Sequence, residues 1–99
     1  MSREKLSSKD MMTMLEALDG WTVTADGLAI ERTFKFSGFA QAFGFMAECA
    51  IFAEKIDHHP EWSNVYRTVE VRLTTHSAKG ISNLDFELAG FMDKAAAHH

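Results

Sequence analysis

Five histidines stand in this 99-residue chain, and three of them occupy places where a fold can use them. His58 and His59 are adjacent and run directly into Pro60, the only proline; His76 follows a long alternating stretch. Imidazole titrates near neutrality, so such a set can both donate and accept protons at working pH. Glu54 stands four residues before His58, a helical spacing that allows a hydrogen bond fixing the ring's tautomer. Glu54, Asp57 and the partial negative charge of a helix C-terminus would all favour imidazolium at His58 or His59. Two other readings stay open at this point. Three imidazoles with a vacant position also describe a zinc centre, although successive helical residues point about 100° apart, so His58 and His59 could share an ion only beyond the helix end. The plain alternative makes them cations stabilising a helix end and His76 a loop residue. Cys49 lies mid-helix among apolar residues and reads as core, not as a nucleophile. Asp85, three residues after Ser82, reads as a capping residue that could also orient a neighbouring loop.

The elements that must position these groups follow from periodicity. Ser8 to Leu18 carries Met11, Met14, Leu15 and Leu18 at helical offsets, with Ser7 or Ser8 as N-cap and Gly20 as the closing residue. Trp21 to Phe36 switches to alternation about Asp26-Gly27, the signature of a hairpin whose second arm puts Leu28, Ile30, Phe34 and Phe36 on one face, interrupted only by Arg32. Ser37 can cap a helix from Phe39 to Asp57, in which Phe39, Phe43, Met46, Ala47, Ala50, Ile51 and Ala53 form a wide apolar stripe with Phe45 and Phe52 off its centre. A helix so apolar wants burial on more than one side, and self-association would supply it. Pro60 is expected to end this helix, since the residue before a proline avoids the α region. Asn64 to Thr75 reads as one long strand, and Ser82 to Asp85 as a capping box opening a last helix that presents Leu84, Leu88, Phe91 and Ala95. The order α-β-β-α-β-α predicts an α+β fold with helices on one face of an antiparallel sheet. Residues 95–99, ending His98-His99, have no amphipathic pattern, read as a disordered tail or a vector remnant, and are assigned no function.

Composition bounds the partners. Ten basic residues against fourteen acidic ones give a formal charge of −4, so no basic field exists for direct nucleic-acid or membrane-surface binding. A chain of this length, 46% hydrophobic, makes a single domain over residues 1–99. One cysteine excludes an intrachain disulfide and fits a reducing compartment. The segment MSREKLSSKD lacks an apolar signal core, and Phe43 to Ala53 is too short to span a bilayer. A soluble intracellular protein is expected.

Glu54-Lys-Ile-Asp-His-His-Pro-Glu-Trp62, followed by Asn64-Val-Tyr66, His76 and Asp85, resembles the pterin-4a-carbinolamine dehydratases, also known as the dimerisation cofactor of a liver homeodomain transcription factor. The family pattern is an acid, three residues, His-His-Pro, an aromatic, a histidine after nine more and a later Asp. Glu54, His58-His59-Pro60, Tyr66, His76 and Asp85 fill it without departure, and the resemblance extends through Phe39 to Met46 and Ser82 to Lys94. It implies a four-stranded antiparallel sheet with helices on one face, a fourth strand that periodicity alone does not secure. It implies homodimers that extend the sheet and homotetramers joined through the helix Phe39–Asp57. It further implies dehydration of 4a-hydroxytetrahydropterin to the quinonoid dihydropterin, recycling the cofactor spent by aromatic amino-acid hydroxylases, with no metal and no cofactor of its own. On this reading His58 and His76 exchange acid and base roles about the hydroxyl-bearing carbon and His59 mainly binds the pterin. Pro60, Thr75, Ser77 and Ala78 would contact substrate, and Glu54 and Asp57 would tune His58. Trp62 would wall the pocket or simply pack, and Asp85 would lend support. The alternative function is coactivation, by binding the dimerisation helix of a homeodomain factor. The expected address is the cytoplasm, with the nucleus as a second.

Overall fold

A computed structural model describes residues 3–99. Its elements are α1 (Ser8–Glu16), β1 (Thr22–Val23), β2 (Ile30–Lys35), α2 (Phe39–Lys55), β3 (Glu61–Val65), β4 (Thr68–Leu73), a short 3₁₀ turn (His76–Ala78) and α3 (Asn83–Ala96). The strands form one antiparallel sheet in the order β1-β2-β4-β3. The α+β architecture is as expected, and the fourth strand lies inside the stretch that alternation marks as one. β3 and β4 are a hairpin with Val65 paired to Thr68. Partners in an antiparallel pair share a face, so the phase of alternation flips across the turn. Val65 therefore points outward, 75% exposed, while Val69, Val71 and Leu73 are buried. No Gly, Pro, Asp or Asn occupies the turn itself to betray it. Instead Tyr66 takes a positive φ of 51°, and the Asn64 side-chain amide donates to the Tyr66 and Thr68 carbonyls at 3.0 and 2.9 Å.

The core joins Ile30 and Phe34 of β2, Val69, Val71 and Leu73 of β4, Phe45 and Cys49 of α2, and Leu88 and Met92 of α3. α1 lies at its margin, with Met11, Met14, Leu15 and Leu18 only partly buried. Ser7 caps it by accepting the Asp10 N–H, and it closes at Ala17, before Gly20. Gly20 serves the next turn: its φ is +83°, and a Cβ there would stand 2.9 Å from Arg32 Nε.

α2 is rotated from the expected orientation. Its buried residues are Ala42, Phe45, Cys49 and Ala53, whereas Phe39, Phe43, Ala47, Ala50 and Ile51 face solvent. Phe45 fills the core against Phe34 and Phe36, with ring centroids 4.8 and 4.9 Å away. When a helix is apolar on two sides, periodicity cannot say which side meets the sheet, and the small Ala42, Cys49 and Ala53 allow the closer approach. The last helix also runs further than expected, through Ala96 with Ala95 buried.

Arg32, the one break in the apolar series of β2, has a specific partner. Its guanidinium donates to Asp93 of α3 at 2.7 Å and to the Asp19 carbonyl at 3.1 Å, and its carbon lies 4.4 Å above the Phe34 ring. The Trp21 indole N–H donates to the same Asp93 oxygen at 2.8 Å. Burial raises the Asp93 carboxyl above its usual range against the lowering effect of both donors. This cluster ties the sheet to the C-terminal part of α3, whereas the buried His58 meets Asp85 in its first turn. Asp93→Ala would orphan two donors and should destabilise the fold by about 1–3 kcal/mol, read as a drop in urea midpoint; an unchanged midpoint would refute the assignment.

Candidate active site

Three chain ends meet at one edge of the sheet because of how the strands are ordered. β2, α2 and β3 form a crossover that leaves a slot, and β4 fills it from the following hairpin. Glu61 at the start of β3 then pairs with Arg72 near the end of β4. The residues leaving α2 and the residues leaving β4 are thereby neighbours, and α3 begins from the same corner.

α2 ends by its own backbone geometry, earlier than Pro60 requires. The His58 N–H donates to the Ala53 carbonyl at 3.0 Å and the Asp57 N–H to the Glu54 carbonyl at 3.2 Å, with Asp57 left-handed at φ 51°. That is a Schellman closure with aspartate where glycine usually sits. The turn aims His58 inward. His58 is 6% exposed and its Nε2 lies 2.6 Å from Asp85 Oδ1. The expected partner, Glu54, instead meets His59 Nε2 at 2.8 Å on the surface, since beyond the helix end the four-residue spacing no longer brings side chains together. Asp57 points to solvent beside Arg3, 3.6 Å away, and influences His58 through the backbone.

Asp85 is fully buried and every donor around it has a direction. Oδ2 accepts the Ser82 backbone N–H at 2.9 Å and the Thr75 hydroxyl at 2.9 Å. Thr75 has spent its proton there, so the Ser82 hydroxyl, 2.6 Å away, donates to Thr75 while accepting the Leu84 N–H at 3.2 Å. Asp85 is thus the capping-box residue expected from sequence and also the anchor of His58. With a carboxylate accepting at Nε2, neutral His58 carries its lone pair on Nδ1, which has no hydrogen-bond partner among the described residues.

The cavity in front of His58 holds about 370 Å³ and is lined by residues 57–61 from the α2 exit and 74–77 from the end of β4, with Arg3 on its rim. His76 stands at the mouth, 82% exposed, its Nε2 2.8 Å from Glu61 Oε2. The hydrogen bond from His76, helped by Arg72, holds the Glu61 carboxyl below the usual range. Because the folded pKa is the lower one, this pairing contributes to stability above the ordinary carboxylate range and is lost as pH falls through the depressed value. Pro60 and Ser77 line the cavity. Thr75 also touches it, but its hydroxyl and backbone are committed to Asp85, Ser82, Gly80 and Ala78, and the Ala78 N–H closes the 3₁₀ turn. Trp62 is not among the lining residues; it packs against the core. Arg3, Glu61 and Thr74 were not foreseen from the sequence, although Glu61 directly follows Pro60. Cys49 is core, its thiol pushed up to about 12 by burial.

The three pocket imidazoles do not converge on one point. Each Nε2 meets a different carboxylate, and the one cluster of three potential ligands among the described residues is Glu48, His98 and His99, away from this cavity. The arrangement suits proton transfer to a small molecule. Fold and site together define a compact α+β domain with a histidine-lined pocket at one corner of its sheet.

Comparison with known proteins places this class more narrowly. Residues 4–95 match the family model for pterin 4 alpha carbinolamine dehydratase. A Chelativorans protein named as a pterin-4-alpha-carbinolamine dehydratase is 53% identical over 98% of this chain and 99% of its own length. A Sinorhizobium fredii protein of the same name is 50% identical over 98% and 92%. The crystal structure of a Brucella melitensis protein described as a transcriptional coactivator/pterin dehydratase superposes with TM-score 0.92 at 48% identity, covering 94% of this chain and 99% of that one. The chain belongs to the pterin-4a-carbinolamine dehydratase family, whose members are hydro-lyases. A pterin dehydratase-like RuBisCO assembly factor, 19% identical with TM-score 0.68, shares the fold.

The left-handed Asp57 yields a test. Asp57→Gly keeps the Arg3 bond to the residue 57 carbonyl at 2.7 Å and removes the side-chain strain, so it should gain about 0.5 kcal/mol, whereas Asp57→Val should lose about 1–2 kcal/mol. Chemical denaturation of both variants checks the sign; a gain with valine would mean that this closure does not set the helix end.

Proposed function

We propose that this chain dehydrates a pterin-4a-carbinolamine to the quinonoid dihydropterin and water, recycling a tetrahydropterin used by aromatic amino-acid hydroxylases. The observation that carries the mechanism is His58, held through Nε2 by buried Asp85 with Nδ1 left to act in the cavity. Nδ1 of His58 takes the ring N–H proton. The electron pair released forms the new C=N bond and expels the 4a oxygen, which leaves as water with a proton from His76. His58 then ends protonated and His76 neutral; His58 gives its proton back to solvent through the cavity and His76, open at the mouth, takes one up, which restores both. His59 and Ser77 hold the pterin, and Pro60 sets the wall between His59 and Glu61.

Each histidine contributes about 10²- to 10⁴-fold by general acid–base catalysis. His58→Ala and His76→Ala should therefore each slow dehydration of chemically generated carbinolamine by that order. Asp85→Asn should slow it too, because an amide can present N–H to Nε2 and reverse the tautomer. Near-normal rates in both histidine variants would discard the acid–base mechanism.

The outward face of α2 supports self-association. Phe39, Phe43 and Ile51 are 52%, 58% and 74% exposed on one stripe, more apolar surface than a lone helix face normally leaves in water. A second copy of the chain is the proposed occupant, giving dimers and tetramers. Sedimentation should show an oligomer that Phe43→Glu with Ile51→Glu reduces in mass. A monomer at all concentrations would remove this reading and leave the stripe to a partner's helix, as in the coactivator alternative.

A further inference from the structure

We propose that Glu48, His98 and His99 form a binding site for a divalent transition-metal ion, zinc or a metal of similar preference, that clips the end of α3 to the middle of α2. His98 Nε2 and His99 Nε2 approach the same Glu48 Oε1 at 2.9 and 2.6 Å, and one donor atom from each residue lies within 4.8 Å of the other two. Two imidazoles and a carboxylate are a ligand set that such ions take, with an open position for water. Bonds of about 2.0–2.1 Å at tetrahedral angles place ligand atoms roughly 3.3 Å apart. The present separations from Glu48 need open by only about 0.4–0.7 Å to admit the ion. On binding, each ring shifts its proton from Nε2 to Nδ1 and offers the Nε2 lone pair to the metal.

The surroundings hold these ligands in place. α3 continues through Ala96, Ala95 is buried, and the His98 and His99 N–H groups donate to the Ala95 and Ala96 carbonyls at 3.2 and 3.4 Å. One turn before Glu48, Gly44 occupies the interior of α2, a position where glycine is among the poorest helix formers. A Cβ at Gly44 would lie 3.2 Å from His99 Nδ1 and 3.3 Å from its Cε1. The missing side chain gives the His99 ring its place against the helix. The side chain of His98 is 62% exposed and that of His99 23%, so an ion can arrive from solvent. None of these residues lines the His58 cavity.

The test uses the full chain purified without a histidine tag and stripped with chelator, titrated with Zn²⁺ by calorimetry and with Co²⁺ by absorbance. One ion should bind per chain, and Glu48→Gln, His98→Ala and His99→Ala should each weaken binding about tenfold or more. Dehydratase rate should be unchanged in these variants, and the pocket variant His59→Ala with His76→Ala should bind as the wild type does. Imidazole spectra of the unaltered chain should show two ring systems moving with Zn²⁺ while His58 stays fixed. Absence of stoichiometric binding, affinity indifferent to the three substitutions, or affinity lost in the pocket variant would overturn the proposal.

Discussion

A buried carboxylate with both oxygens hydrogen-bonded, Oδ1 once and Oδ2 twice, is the constraint on which this corner depends. Taking an ion such as Asp85 out of water is expensive unless donors replace the solvent. Here the donors come from three separate segments: His58 beyond α2, Thr75 beyond β4, and the Ser82 backbone at the head of α3. The carboxylate can be satisfied only if all three arrive together, so the polar network works as a lock on the corner where the elements meet. The same requirement gives His58 a fixed tautomer. The stability of this corner and the chemistry proposed for His58 rest on one set of hydrogen bonds.

The frame that brings those segments together is topological. A crossover from β2 through α2 to β3 leaves room for β4, and the β3-β4 hairpin returns the chain to the corner it left. The C-terminal part of α3 is held to the sheet separately, by Arg32 and Trp21 on Asp93. Between the two polar clamps lies an uninterrupted apolar core. The outward face of the sheet carries Glu31, Glu61, Glu70 and Arg72 in register, which suits water, while the outward face of α2 does not.

α2 illustrates how far local pattern reaches. The sequence shows correctly that this helix is too apolar for one buried side, yet the richer stripe lies outside and Phe45 lies within. The mean apolar content is a property of the segment. The choice of face is a property of what packs there, and the sheet accepts small residues around one large ring. In the same way alternation ran unbroken through Tyr66 and Arg67, because no residue in that turn departs from strand preference and its bracing comes from Asn64.

By itself the sequence determined where the helices start, including the Ser82–Asp85 box, although α2 is capped by Gly38 with no side-chain bond and not by Ser37; it also determined the hairpin at Asp26-Gly27, the burial of Cys49 and the candidacy of His58, His59 and His76 at element ends. These rest on spacings of a few residues, which the backbone translates directly into geometry. Tertiary structure alone decided which acid each histidine meets. Glu54 looked right for His58 only while the helix continued. Once the chain turned at Asp57, His58 met a carboxylate 27 residues away, and a pairing at that separation depends on strand order and packing, to which local periodicity is blind.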